Sequence, residues 1–274
     1  MSDGGPLHLA VEGGVATVTI DHPPINLFDL VLYPAMMRMA QQLAADDTVR
    51  VVVLRSANPE FFIAHFDVTL IQRLPVDAAP ATELNSFHAM CEAFRTMPKA
   101  TIAVIEGRVG GGGSELALSC DMRFAAMGRA VFNQPEVALG ILPGGSGTVR
   151  LARLVGRSRA LETILGCDDI DALTAERWGW VNRSLPPAEL WSFVDRLAQR
   201  IASFPPHAVA AAKAAVLRAE KQVVDDLMAE GDAFNATLGH PSTVAALAAF
   251  MDLGGQTRDG ELRLGELAGE IGSG

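Results

Sequence analysis

The feature that most constrains this chain is Gly110-Gly111-Gly112-Gly113, four consecutive glycines between the apolar run Thr101-Ile102-Ala103-Val104-Ile105 and the run Leu116-Ala117-Leu118. Without Cβ atoms, backbone N–H groups there can approach a ligand closely. If Ser114 and Glu115 open a helix, its unpaired first-turn N–H groups and its dipole favour negative charge over the glycines. Glu115 then stands at the edge of the same site. A flexible linker would be bordered by polar or Pro/Ser-rich sequence, whereas these flanks are apolar and of element length. The spacing also fits neither a dinucleotide fingerprint nor a phosphate loop, which needs Gly-Lys-Ser/Thr.

The other excluded classes follow from composition. With 274 residues, 49% of them hydrophobic and 20% charged, the chain can bury one large core, or a core with an appended helical region. A net charge of -10 argues against nucleic acid, which requires a concentrated basic surface, but leaves room for a small anionic ligand in a local cradle of donors. The start Met1-Ser2-Asp3-Gly4-Gly5-Pro6 lacks a basic region followed by an apolar one, and no run of membrane-spanning length occurs. A cytoplasmic protein is expected. Cys91, Cys120 and Cys167 lack metal-ligand spacing and read as buried free thiols.

In order, Leu7–Val11 and Val15–Ile20 predict a hairpin across Glu12-Gly13-Gly14, and Pro23-Pro24 a loop. Asp29 caps a helix running to about Ala45, followed by a buried strand at Val51–Leu54 and a long loop from Arg55 to Ala64. A short helix from Asp67, another from Ala81 to Met97, the strand at Thr101–Ile105, and short strands at Met122–Ala126 and Ala130–Phe132 come next. Strand, strand, helix is the recurring unit. Pro143-Gly144-Gly145-Ser146-Gly147-Thr148 enters a helix over Val149–Leu154. Beyond Ser158 the sequence predicts helices at Arg159–Leu165, Thr174–Trp180, Pro187–Ala202, Ala208–Arg218 and Lys221–Asn235, with one extended piece at Val181–Leu185. Gln256 to Gly274 reads as a weak helix or frayed tail.

Several pieces together resemble the crotonase family, the enoyl-CoA hydratase/isomerase group, over nearly the whole chain. They are His22-Pro23-Pro24-Ile25-Asn26; Phe62-Ile63-Ala64-His65-Phe66-Asp67-Val68; Gly107 with Gly111–Leu116; Cys120-Asp121; Phe132–Val137; and Leu139–Gly147. The resemblance implies an α/β fold, a spiral of ββα units over residues 1–199 carrying an acyl-CoA site. Residues 200–274 would form a C-terminal helical region that packs across a homotrimer or a dimer of trimers. It further implies an acyl-CoA thioester substrate whose carbonyl oxygen lies between the backbone N–H groups of Phe66 and Gly112. Ala64, Phe66 and Val68 would give backbone contacts to the adenine end of CoA. Glu115 and Glu136 occupy the family's two acidic positions: Glu115 would handle the water and Glu136 the C2 proton. Hydration of a trans-2-enoyl-CoA is then expected, with no metal and no cofactor beyond the CoA of the substrate; double-bond isomerisation and non-catalytic acyl-CoA binding are the alternatives.

This sequence departs from the pattern at His65-Phe66, where the family commonly has Gly-Ala. A glycine with positive φ at that place would force His65 into strain or the loop into a different bend. His65 is expected to pack or fix the loop. Arg55 and Arg73 are nearby cations whose ordinary reading is a solvated surface charge, and Arg73 to Pro80 is a loop expected to shape acyl specificity.

Overall fold

The two alternating runs around Glu12-Gly13-Gly14 pair antiparallel as β1 (Leu7–Glu12) and β2 (Val15–Ile20), the predicted hairpin. The computed structural model describes residues 5–76, 79–220 and 222–272. After the hairpin, successive strands alternate between two sheets: β3 (Val51–Ser56) and β4 (Phe61–Ile63), β5 (Ala100–Ile105) and β6 (Arg108–Gly110), β7 (Met122–Ala126) and β8 (Val131–Asn133). With β9 (Ile170–Asp171) and β10 (Arg183–Leu185), the orders are β1-β2-β3-β5-β7-β10 and β4-β6-β8-β9. β2 to β10 pair in parallel along the first sheet, and β4, β6 and β8 in parallel along the second. Each strand-strand-helix turn thus adds one strand to each sheet, which is the expected spiral. All six residues of β5 are buried, as a parallel strand covered on both faces requires.

Some elements differ from the sequence reading. The stretch from Arg55 to Ala64, expected as loop, contains β4, whose Phe61-Phe62-Ile63 is too short to stand out. The helix expected from Ala81 begins at Ser86, because Asn85 caps it by accepting from the His88 N–H. The helix expected to open at Ser114 or Glu115 starts at Gly111 and runs to Ser119. Its glycines lie inside the first turn because the neighbouring chain leaves no room for side chains: a Cβ on Gly113 would collide with the Ile63 carbonyl, and one on Gly112 would lie 3.4 Å from Phe66 Cβ. A stretch after Asn235 that the sequence left unassigned is the helix Pro241–Asp252, led by a proline at its first position.

Several of the later helices pack on the rest of the chain. Pro187–Ala202 lays Leu190, Val194 and Ala198 on the first sheet. Leu238, Leu247, Phe250, Leu264 and Leu267 pack on Val68, Leu139 and Ile141. The segment read as a weak helix or frayed tail is helical over Arg258–Glu261 and Leu264–Gly272, with Leu267 fully buried; residues 273–274, like residues 1–4 and 77–78, lie outside the described residues. Among the described residues no helix is long and apolar enough to cross a membrane. The three cysteines are unpaired and buried, and burial pushes the Cys91 and Cys120 thiols up to about 12.

Candidate active site

One cavity of about 320 Å³ gathers Phe66, Val68, Gly112, Glu115 and Glu136. Ala64 is placed behind it, 3% exposed, with its carbonyl turned toward Gly110. The lining is otherwise mainly apolar. Tyr33, Phe66 and Phe87 meet edge-on or tilted at ring separations of 5.3 to 5.9 Å, and Phe234 and Phe250 come from the C-terminal helices.

Gly112 is the second residue of its helix, so its N–H has no acceptor within that helix. Phe66 forms an isolated parallel bridge with Phe28 through the His65 carbonyl and the Asp67 N–H. That pattern turns the N–H of Phe66 itself away from Phe28. A Cβ built on Gly112 would lie 3.5 Å from the Phe66 nitrogen, so the two residues are close neighbours. Phe66 and Gly112 thus stand next to each other in the lining of the cavity.

The two glutamates are held differently. Glu115 Oε1 accepts from the N–H groups of Gly145 and Gly147, both at 2.8 Å. Glu136 lies in a short 3-10 turn, Glu136–Leu139, and its buried Oε2 has no partner among the described residues. Burial pushes the Glu115 carboxyl well above its ordinary value, aided by the charges of Glu136 and Glu230 and opposed by the two amides. Burial likewise pushes Glu136 up to about 7, with Glu230 raising it further and His65 opposing. Burial and the repulsion between the two carboxyl groups both oppose ionising the pair at once. At Glu115 the Gly145 and Gly147 amides act against this rise, stabilising its charged form.

His65 answers the departure noted in the sequence. It is 5% exposed and its φ is not among the positive ones; the left-handed residue of this region is Gly111, at φ 42°. No strain arises at His65, so of the two expected outcomes the strained left-handed backbone is excluded. Its ring instead spans two acceptors, Nδ1 to the Phe66 carbonyl at 2.8 Å and Nε2 to Glu261 Oε1 at 3.0 Å. Glu261 also accepts from Gln256 N–H at 2.7 Å, and Gln256 Oε1 accepts from Val68 N–H at 2.5 Å. The Val68 amide is therefore committed within the protein. Arg55 lies over the Trp191 ring at 4.0 Å and reaches Glu106, away from the cavity. Arg73 is exposed in the turn between Ile71 and Leu74, two residues of the lining.

Sequence reasoning did not reach Tyr33, Phe87, Phe234, Phe250, Glu230 or Glu261. Only Phe87 had a local signal, the Asn85 cap just before it. Among the described residues no group of three or more His, Cys, Asp or Glu is placed to hold a metal ion.

The sequence profile described as enoyl-CoA hydratase/isomerase matches residues 10–255. The chain belongs to the enoyl-CoA hydratase/isomerase family. Within this family it is similar to the short-chain-enoyl-CoA hydratase of Clostridium acetobutylicum, 33% identical over 247 residues, covering 89% of this chain and 94% of that one. It is also similar to the crotonyl-CoA hydratase of Syntrophomonas wolfei, 37% identical over 212 residues, covering 76% and 79%. A crystal structure from Streptomyces avermitilis shares the fold with a TM-score of 0.88 at 36% identity, covering 98% of this chain and 99% of that one. Membership accounts for the two-sheet spiral and for the order of the pieces that form the cavity walls.

Proposed function

We propose that this family member is an enoyl-CoA hydratase, adding water across the 2,3 double bond of a trans-2-enoyl-CoA to give a 3-hydroxyacyl-CoA. The observation that carries the reading is the convergence of two buried carboxyl groups, Glu115 and Glu136, on one apolar cavity edged by Phe66 and Gly112. The relatives named above as hydratases support it.

In the proposed reaction Glu115, as carboxylate, takes a proton from water while the water oxygen bonds to C3. The electron pair of the double bond moves toward the thioester, and the developing enolate oxygen accepts from the Phe66 and Gly112 N–H groups. Glu136, as carboxylic acid, gives its proton to C2. One proton is gained and one lost by the pair, so its total is unchanged and a shift of the proton between the two carboxyls restores the start. No metal or redox group is needed, and CoA enters as part of the substrate. Phe66 and Gly112 would also contact the thioester, and the chain around Ala64 and Val68 the rest of the CoA.

We place the protein in the cytoplasm, a reading supported by three unpaired thiols, which suit a reducing compartment. Residues 200–274 are assigned to a homotrimer or dimer-of-trimers contact. The helix Pro206–Leu217 supports that assignment: none of its residues is buried and Val216 is 71% exposed.

The test is addition of crotonyl-CoA while following the absorbance of the conjugated thioester. Loss of that absorbance with formation of 3-hydroxybutyryl-CoA is expected. Unchanged absorbance together with conversion of a 3-enoyl-CoA would replace hydration by isomerisation, which needs only one carboxylate to carry a proton between carbons.

A further inference from the structure

Three residues outside the reacting set form a continuous path around Phe66. Glu261, 1% exposed, accepts from His65 and from Gln256 N–H; His65 reaches the Phe66 carbonyl; Gln256 reaches Val68 N–H. The path begins on the turn Arg258–Glu261, near the end of the chain, and closes on both sides of Phe66, the neighbour of Gly112. Where the family commonly has a small glycine, this chain has a side chain able to make that connection.

We infer that His65, Glu261 and Gln256 form a C-terminal clasp that aims the Phe66 N–H at the thioester oxygen, making His65 a positioning residue for the reaction proposed above, on which this inference rests. The bonding pattern sets the charge state. With Glu261 held below its ordinary value as a carboxylate, both acceptors of the ring require an N–H, so both nitrogens carry protons and the ring is an imidazolium. A neutral ring can serve only one of them.

The surroundings agree with that state. Facing the ring are Glu261 from the Arg258–Glu261 turn, Glu136 from the Glu136–Leu139 turn and the edge of Phe250 at 5.7 Å, with Arg108 acting on Glu261 from behind. Burial pulls the imidazolium down, but the Glu261 carboxylate and the Phe66 carbonyl, with a smaller contribution from Glu136 when that group is ionised, outweigh it and raise His65 to about 9. Glu261 is held below its ordinary value by His65 and Gln256 against the opposing cost of burial. The clasp is therefore closed at neutral pH and opens on the alkaline side.

A donor that is misdirected rather than deleted should forfeit part of the roughly 100- to 1000-fold that one such donor supplies. In Glu261→Gln, kcat for crotonyl-CoA should fall about 10- to 100-fold while KM stays within about threefold, because ground-state binding depends little on the aimed amide. The alkaline limb of kcat, near pH 9 in the native protein, should move down with the loss of the carboxylate. Gln256→Ala, a neutral change that strands no buried charge, should lower kcat about 3- to 10-fold by the same argument.

A second reading, independent of turnover, is the infrared C=O stretch of bound butyryl-CoA. It should be lowered by the native protein and return toward its free value in both variants. Folded variants with native kcat and native C=O frequency overturn the clasp; if Glu261→Gln does not fold, Gln256→Ala decides. A native protein that shifts the butyryl-CoA carbonyl without hydrating crotonyl-CoA rejects the hydratase reading, and the carbonyl comparison still decides the clasp. A native protein that binds no thioester rejects both.

Discussion

The two walls of the cavity are built on opposite principles. One wall is a single nine-residue helix, Gly111–Ser119, every residue of it buried, which supplies both the Gly112 amide and the Glu115 carboxyl. The other joins a loop at Phe66 to a 3-10 turn at Glu136, and the loop is tied through His65 and Val68 to Glu261 and Gln256 from the end of the chain. The first wall is encoded locally, where glycines permit close approach and a helix start leaves its donors free. The second is encoded by contacts between segments far apart in sequence. It can be tuned from a distance without altering a residue that touches the substrate.

The largest expected effect tests whether both walls take part in the chemistry. Glu115→Gln and Glu136→Gln should each lower kcat about 100- to 10,000-fold, the usual range for a general acid or base, while butyryl-CoA affinity measured by calorimetry changes little. Native turnover in one of them would assign proton transfer to the other wall alone.

The second wall should also carry a pH signature in stability. His65 has its folded value raised from 6.5 to about 9, so its contribution is full below 6.5 and is lost as pH rises toward 9. The linked loss is about 3 kcal/mol, at about 1.4 kcal/mol per pH unit. Urea unfolding at pH 6, 7.5 and 9.5 should show a decline that His65→Gln flattens; equal slopes would mean that the imidazolium does not support the fold.

The first wall should respond to crowding instead. Gly113→Ala drives a methyl group against the Ile63 backbone, and a loss of about 1 to 3 kcal/mol is expected, with little dependence on pH. The smallest effect belongs to the lining. Tyr33→Phe removes one solvent-exposed bond, from the hydroxyl to Ser86 Oγ at 2.8 Å, and should cost no more than about 1 kcal/mol and leave KM nearly unchanged.

The same contrast explains what was legible in the sequence. The glycine run, the β5 run before it and the glutamates at 115 and 136 all lie in short, recognisable pieces, and their convergence followed from the family resemblance. The start of the Gly111 helix was misplaced because propensity disfavours glycine in a helix, whereas here the proximity of Ile63 and Phe66 decides. Glu261 could not be connected with His65, since no periodicity or spacing in one strand of text reports a contact across 196 positions. Phe234 and Phe250 were hidden for the same reason: they lie on C-terminal helices whose facing partner is the turn at Leu139 and Ile141.

Glu230 extends this lesson to assembly of the chain itself. Three consecutive amides are divided between two glutamates: Gly145 and Gly147 donate to Glu115, while Ser146 between them donates to Glu230 at 2.6 Å, followed by Thr148 at 2.9 Å and Val149 at 3.1 Å. His88 closes the set at 3.2 Å. The start of the helix Gly147–Val155 is thus sealed by a residue synthesised long after it. A chain that stopped short of Glu230 would lack that seal on the loop whose amides hold Glu115.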